Sequence, residues 1–256
     1  MGLRIFLAGA MGAVGARLTP LLVEAGHHVT GTTRSADKAR ALRDLGAEPV
    51  VVDVFDAAAL AIAVAAAKPE IVIHQLTDLP ARLDPAQMAS ALPRNARIRE
   101  TGTRNLVEAA LAAGARRLVA QSVAWMYAPG PTPHAESDPL DLKAEGARAV
   151  TLRGVIALET CVLGSPPLAG VVLRYGQLYG PGTGSEGPRG SAPLHVDAAA
   201  YAALLALDRG EPGIYNIAEP NAEVLTQKAE RELGWSAELR LPSGARMADA
   251  RTGPIG

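Results

Sequence analysis

The stretch that decides the fold is Gly9-Ala10-Met11-Gly12-Ala13-Val14-Gly15. It follows an apolar run at residues 4–8 and precedes a run rich in alanine and leucine, which predicts a strand, a tight loop and a helix. Gly9 permits the sharp turn, Gly12 lets a pyrophosphate approach the backbone, and Gly15 lets the helix pack closely. The free N–H groups at the start of that helix are suited to bind phosphate.

Strand-like and helix-like runs alternate through the first two thirds of the chain, which predicts an α/β fold. The expected architecture is a Rossmann-type, doubly wound parallel sheet with helices on both faces. The predicted strands are 4–8, 28–33, 49–52, 71–74, 117–121 and 170–174, and the predicted helices are 13–25, 36–45, 57–67, 95–113 and 151–163.

The composition of the chain changes after residue 176, where glycine and proline become frequent. We expect a helix at 196–207, a strand at 213–217 and a helix at 222–233, which form a small C-terminal substrate lobe over the carboxyl edge of the sheet. The predicted division is 1–175 for dinucleotide binding and 176–256 for the lobe, within one compact unit. Residues 182–193 are expected to form a lid, and residues 243–256 a weakly ordered tail.

Composition excludes several classes of protein. The 256 residues are 48% hydrophobic with a formal net charge of −1, which supports a sizeable core and argues against a nucleic-acid binder. A single cysteine, Cys161, excludes an internal disulfide and is typical of a reducing compartment. No apolar run reaches the ~18 residues of a membrane helix, and no two histidines have metal-ligand spacing on one helix. We therefore expect a cytoplasmic protein without a metal site or a membrane partner.

The end of the second predicted strand distinguishes the two pyridine dinucleotides. Thr32-Thr33-Arg34-Ser35 stands there, and no carboxylate follows until Asp37. A carboxylate would bind the ribose 2′-hydroxyl of NAD, whereas an arginine accommodates the 2′-phosphate of NADP. The sequence therefore favours NADP over NAD. The alternative for Arg34 is a solvated residue at the start of a helix.

Further cofactor contacts are expected where other strands end. Asp53 is placed to accept a hydrogen bond from the adenine amino group, or alternatively to cap the following helix. The predicted cofactor-binding residues are Gly9, Met11, Gly12, Ala13, Val14, Gly15, Arg34, Asp53, Val54, Leu76 and Gln177.

Several motifs beyond the glycine loop carry a family resemblance. They are Val72-Ile73-His74, Gly102-Thr103-Arg104-Asn105-Leu106, Tyr179-Gly180-Pro181-Gly182, Tyr215-Asn216-Ile217 and Leu233-Gly234-Trp235. Together they resemble the extended short-chain dehydrogenase/reductases of the NAD(P)-dependent epimerase/dehydratase branch. The resemblance implies a dinucleotide across the carboxyl edge of the sheet and a substrate pocket beneath the C-terminal lobe. It also implies a homodimer formed through helices 95–113 and 151–163.

The chain departs from this family at the chemistry. Members of the family use a tyrosine four residues before a lysine, and no tyrosine precedes Lys38, Lys68, Lys143 or Lys228 at that distance. An alignment on residues 157–159 puts Thr151 and Val155 at the positions of the pair. The sequence therefore predicts an atypical member that lacks the Tyr-x-x-x-Lys pair.

Three functions remain open at this point. The first is an NADP(H)-dependent oxidoreductase acting on a small carbonyl or hydroxyl compound, with Tyr127 as the acid and Ser122 as the residue that orients the carbonyl. His134 and Glu136 are weaker acid/base candidates, and Tyr127 and Ser122 could instead have only structural roles. The second is an inactive NADP-binding regulator or sensor, and the third is an epimerase- or dehydratase-type enzyme without net redox chemistry.

Overall fold

The computed structural model describes residues 2–80 and 84–242. Its strands are β1 (Arg4–Ala8), β2 (His28–Thr33), β3 (Glu48–Val51), β4 (Ile71–His74), β5 (Arg117–Val123), β6 (Ala169–Tyr175), β7 (Gln177–Tyr179), β8 (Pro193–His195) and β9 (Gly213–Ile217). Its helices are α1 (Ala13–Glu24), α2 (Ala36–Asp44), α3 (Ala57–Ala67), α4 (Pro85–Arg97), α5 (Thr103–Ala112), α6 (Gly146–Leu163), α7 (Val196–Leu205) and α8 (Gln227–Leu233). A π-helical turn, Ile98–Gly102, joins α4 to α5.

The central sheet has seven parallel strands in the order β3-β2-β1-β4-β5-β6-β9. Phe6 of β1 pairs with Thr30 of β2 on one side and with Val72 of β4 on the other. The strand order therefore reverses at β1, and this topological switch point opens a crevice at the carboxyl ends of the strands. The predicted Rossmann-type, doubly wound fold is confirmed.

Alternation of side chains along the sheet produces two cores. Ile5 and Leu7 face the layer that contains α1 and α7, whereas Phe6 and Ala8 face the layer that contains α3, α5 and α6. Both faces of β1 are buried, which explains why its sequence is a continuous apolar run. Each fully buried large side chain stabilises the fold by about 1.5–3 kcal/mol, so the sheet is a rigid support for its loops.

Three helix boundaries differ from the prediction by more than two residues. The helix expected at 95–113 is preceded by α4, which begins after Asp84 because the Asp84 carboxylate accepts a hydrogen bond from Ala86 N and Pro85 fits a first helical turn. Helix α6 begins at Gly146 rather than at residue 151. Helix α8 begins at Gln227 because the side chain of Asn221 accepts hydrogen bonds from Glu223 N and Val224 N, which form a turn instead.

The segment after residue 176 contributes to the central sheet. Strand β9 pairs with β6, and a buried ion pair between Arg17 and Asp197 joins α1 to α7. The boundary predicted at residue 175 would fall inside this sheet, and it stays a prediction. The predicted tail, residues 243–256, lies outside the described residues. Within the described ranges, none of the helices combines the length and the hydropathy needed to span a membrane.

Candidate active site

A cavity of about 1000 Å³ lies at the carboxyl edge of the sheet, at the switch point. Most residues predicted to bind the cofactor line it, which is the placement that a dinucleotide across this edge requires. These lining residues are Gly9, Met11, Gly12, Ala13, Val14, Arg34, Asp53, Val54 and Leu76.

The glycine loop has the geometry of a phosphate cradle. Gly9 has a φ of +88°, and a Cβ on it would lie 2.6 Å from the Gln75 carbonyl oxygen, so only glycine fits there. No side chain caps the N-terminus of α1 at Gly12, so the first N–H groups of the helix are available to phosphate oxygens. Gly15 does not line the cavity, and it packs against the turn behind the loop. The loop therefore fits the pyrophosphate of a dinucleotide.

Basic and hydroxyl side chains surround the end of β2. Arg34, Ser35 and Lys38 line the cavity, and the Arg34 side chain is 62% exposed with its Nη2 3.7 Å from Asp78 Oδ1. Asp37 is exposed and is not among the lining residues. The prediction did not include Lys38, which lies in the first turn of α2 and lines the cavity together with Arg34.

The loop after β3 is fixed by two polar contacts. Asp53 Oδ1 accepts a hydrogen bond from Phe55 N at 2.9 Å, and Asn105 Nδ2 donates to the carbonyl oxygen of Val54 at 2.9 Å. The alternative role of Asp53 as a helix cap is wrong, because Asp56 caps α3 through Ala59 N. Asn105, which belongs to the 102–106 motif, therefore positions the segment that contributes Val54 and Phe55 to the cavity lining.

A buried polar network lies beneath the cavity floor. Arg174 donates from Nε and Nη2 to the two carboxylate oxygens of Glu159, at 2.9 and 2.6 Å. Ser122 lines the cavity, and its hydroxyl donates to Glu159 Oε1 at 2.7 Å. Charge-assisted, bidentate pairs of this kind are strong, so Ser122 is held in a fixed orientation.

Tyr127 belongs to the same network rather than to the cavity lining. Its hydroxyl donates to Asn216 Oδ1 at 2.7 Å and accepts from Arg174 Nη1 at 2.9 Å, and its ring stacks on His134. Burial raises the pKa of the Tyr127 hydroxyl, an effect that Arg174 partly offsets. The structure does not bring Tyr127 to the cavity with Ser122, and the acid role of Tyr127 stays a prediction.

Three other predicted residues also have structural partners. His134 Nδ1 lies 3.1 Å from Asp138 Oδ2, and Glu136 Oε1 accepts a hydrogen bond from Asn216 N. Gln177 is not among the lining residues, and its Oε1 accepts from Ala192 N at 3.0 Å. Gln177 thus joins β7 to the segment before β8, and its contact with the cofactor stays a prediction.

The other end of the cavity is formed by α4, the π-helical turn and α6. Its lining is mostly apolar, with a few polar side chains: Leu79, Met88, Leu92, Asn95, Arg99, Trp125 and Thr151. The Thr151 hydroxyl donates back to the Ala147 carbonyl oxygen at 3.2 Å. Trp125, Arg99 and Thr151 were not predicted as lining residues.

Comparison with known proteins identifies the family. Residues 9–151 match the model of the family described as NAD(P)H-binding. The chain belongs to this NAD(P)H-binding family.

The sequence of this NAD(P)H-binding protein is also similar to that of a curated reductase. It is 41% identical over 266 residues to the 3-diazoavenalumate denitrifying reductase of a Streptomyces species, an alignment that covers 94% of this chain and 85% of the relative. The name of that relative describes a reductase that removes nitrogen from a diazo compound.

Solved structures of low sequence identity share the fold. The UDP-glucose 4-epimerase of Thermotoga maritima, solved with UDP-glucose, gives a TM-score of 0.74 at 17% identity and covers 92% of this chain and 94% of that one. The enzyme WbmG of Bordetella bronchiseptica, solved with NAD, gives 0.68 at 21% identity and covers 94% and 91%. These likenesses support the expected structural similarity to extended epimerases and dehydratases.

In this NAD(P)H-binding protein, the described helix α6 (Gly146–Leu163), which forms one wall of the cavity, contains neither a tyrosine nor a lysine. Thr151 lines the wall, whereas Val155 is completely buried. Tyr175 is the tyrosine that lines the cavity within the described ranges, but its hydroxyl donates to the Ala199 carbonyl oxygen at 3.0 Å. Burial also raises the pKa of Tyr175. The glycine loop fits a dinucleotide, but the described lining of the cavity offers no free tyrosine hydroxyl next to a lysine.

Proposed function

We propose that the protein is an NADPH-dependent reductase that replaces the nitrogen of a diazo compound with hydrogen. The observation that carries this proposal is the α6 wall, where Thr151 and Val155 stand in place of an acid/base pair. Reduction of a carbonyl needs a proton for the oxygen as well as a hydride for the carbon, so loss of the pair impairs it. A reaction that needs no proton is compatible with this wall.

Reductive loss of nitrogen from a diazonium carbon needs a hydride but no proton. NADPH, when bound, would supply a hydride for the new C–H bond, while the C–N bond breaks and its electron pair leaves with N2. The positive charge of the diazonium and the negative charge of the hydride cancel, so no proton is transferred. The name of the 41% identical relative supports the same class of substrate.

The residues of this chain would bind and orient the two reactants. The glycine loop and the N-terminus of α1 would bind the pyrophosphate, and Arg34, Ser35 and Lys38 would bind the 2′-phosphate of NADPH. The apolar surfaces of Met88, Leu92 and Trp125 would exclude water from the reacting carbon. Such positioning is a large part of catalysis when the chemistry itself is supplied by the cofactor.

An isotope experiment tests this proposal. The protein is incubated with 4-hydroxybenzenediazonium and NADPH that carries deuterium at C4, and release of N2 and the mass of the phenol product are measured. We expect one deuterium in the product from labelled NADPH and none from deuterated water. A mixture without protein is the control, because a diazonium also reacts with a hydride donor in solution.

The same preparation is then tested with carbonyl compounds. Turnover of a carbonyl panel without turnover of the diazonium would overturn the proposal in favour of ordinary carbonyl reduction. Binding of NADPH without turnover of either class would favour the regulator or sensor function instead.

A further inference from the structure

Arg99 is a buried cation at the end of the cavity formed by α4, the π-helical turn and α6, where the proposed function places the substrate. It lies in the π-helical turn, lines the cavity together with Asn95 and Thr151, and is only 6% exposed. A buried charge without compensation costs several kcal/mol, so the partners of this side chain need to be accounted for.

Within the described ranges, the protein supplies Arg99 with neither a hydrogen-bond acceptor for Nη1 nor a close ion pair. Arg99 Nη1 is enclosed and has no hydrogen-bond acceptor, and the ion pairs among described residues do not include Arg99. Arg174, by contrast, has hydrogen bonds on Nε, Nη1 and Nη2. The two buried arginines therefore differ. The described residues accept hydrogen bonds from all three nitrogens of Arg174, whereas Arg99 Nη1 has no acceptor.

Arg174, Glu159 and Arg99 together carry one net positive charge. Glu159 is the carboxylate that attracts Arg99, but its two oxygens already accept hydrogen bonds from Arg174 and Ser122. His74, which is also near Arg99, adds no negative charge, and burial together with Arg99 lowers its pKa to about 4. Burial lowers the pKa of Arg99 to about 10, so the guanidinium is charged at neutral pH.

The packing of α6 fixes the Arg99 side chain before any ligand binds. A Cβ on Gly154 would lie 3.3 Å from both Cβ and Cδ of Arg99 and 3.0 Å from the Cα of Ala96. The two helical segments are therefore in close contact, and the stem of Arg99 lies between them. A side chain that is already ordered loses little entropy when it binds a ligand, which favours affinity.

We propose that Arg99 binds an anionic oxygen of the substrate, a carboxylate or a phenolate, and thereby selects anionic aromatic substrates. This inference rests on the proposed function, because it names the class of diazo compound that the cavity accepts. Guanidinium groups bind such oxygens through two N–H donors, and the apolar walls at Met88, Leu92 and Trp125 suit an aromatic body. Where the anion is a phenolate conjugated with the diazonium, the same contact stabilises the charge that stays on oxygen after N2 leaves.

Calorimetry with three probes of similar size tests the inference without turnover. The NADP-loaded protein is titrated with cinnamate, with 4-nitrophenolate and with neutral cinnamamide. We expect at least one of the two anions to bind ten times more tightly than the amide, and the two anions distinguish a carboxylate from a phenolate site. Equal binding of all three probes by the wild-type protein would overturn the inference, and this result requires no variant.

Variants assign the preference to Arg99. Arg99→Gln is expected to lose the tenfold preference for the anion while the Kd for NADP stays unchanged, and Arg99→Lys is expected to keep part of it. Arg153→Gln, an exposed position on α6, is the matched control and should behave as the wild type. An equal loss of NADP affinity in Arg99→Gln would instead assign Arg99 to the cofactor and overturn the inference.

The experiment separates this inference from the proposed function. Anion selectivity that depends on Arg99, without any release of N2 from a diazonium, would leave the anion site standing and reject the diazo chemistry. Release of N2 from the diazonium with no anion preference would support the diazo chemistry and reject the anion site.

Discussion

Gly15 lies so close to Gly9 that a Cβ on Gly15 would stand 2.1 Å from the Gly9 carbonyl oxygen. A Cβ on Gly12 would come no nearer to protein than 3.4 Å, again at the Gly9 oxygen. The two glycines of this motif therefore have different roles. Gly15 permits close packing of α1 against the loop, whereas Gly12 leaves space for a ligand.

Alanine substitutions should separate these two tasks. Gly12→Ala is expected to fold with a free energy of unfolding within about 1 kcal/mol of the wild type, because the added methyl group meets no backbone clash. Its affinity for NADPH should fall at least about tenfold, since the methyl group occupies the approach of the pyrophosphate. Gly15→Ala should lose about 2 kcal/mol or more of stability through overpacking. Urea unfolding and calorimetric titration measure both effects, and normal NADPH binding by Gly12→Ala would contradict the assignment.

The cofactor preference should depend on the basic side chains at the end of β2. Arg34→Ala is expected to weaken NADPH binding by about 1–3 kcal/mol, and Lys38→Ala by less, because the 2′-phosphate loses charge-assisted hydrogen bonds. NADH binding should not change, since NADH lacks that phosphate. Arg40→Ala, exposed on α2 and not part of the cavity lining, is the control. An Arg34→Ala protein that still binds NADPH as the wild type does would remove the NADP preference.

The cofactor half of the site was predictable because its geometry is local. Gly9 and Gly12 fix a turn within a few residues, and parallel strands bring Arg34, Asp53 and Leu76 to one edge whatever the details of packing. The alternation of strands and helices also predicted the doubly wound parallel sheet, but it did not place β9 beside β6.

The end of the cavity formed by α4, the π-helical turn and α6 was not predictable because its residues are brought together by tertiary packing. Arg99 is an arginine within a helical segment, where exposure is the usual outcome, and it is buried because Gly154 lets α6 approach. The partners of the Tyr127 hydroxyl, Arg174 and Asn216, are 47 and 89 residues away along the chain. Helix α4 contains Pro93, and because a proline inside a helix removes a backbone hydrogen bond, the sequence argued against a helix before residue 95.

The buried His74 should make stability depend on pH. Its Nδ1 accepts a hydrogen bond from Leu76 N, its Nε2 lies 2.9 Å from Thr103 Oγ1, and burial is the main reason that its pKa falls from 6.5 to about 4. The unfolded chain therefore binds a proton below about pH 6.5 that the folded chain does not bind, so stability falls as the pH falls towards 4.

We expect this residue to lower the free energy of unfolding by about 2 kcal/mol between about pH 7 and about pH 5. His74→Gln should remove that part of the pH dependence in urea unfolding, even though its stability at neutral pH is lower. His28→Gln, at an exposed position, is the comparison. An unchanged pH dependence in His74→Gln would show that the titration belongs to other groups.

The hydroxyl of Tyr127 should matter for stability more than for hydride transfer. It donates to Asn216 and accepts from Arg174, and the tyrosine does not line the cavity. Tyr127→Phe leaves Asn216 Oδ1 buried without this donor, so we expect a loss of about 1–3 kcal/mol in the free energy of unfolding. Turnover below the melting range should stay within about threefold of the wild type, whereas removal of a true proton donor costs about 100-fold or more. Deuterium transfer from labelled NADPH, measured beside urea unfolding for both proteins, separates the two roles: a hundredfold slower transfer at wild-type stability would give Tyr127 a catalytic role and would contradict a reaction that needs no acid.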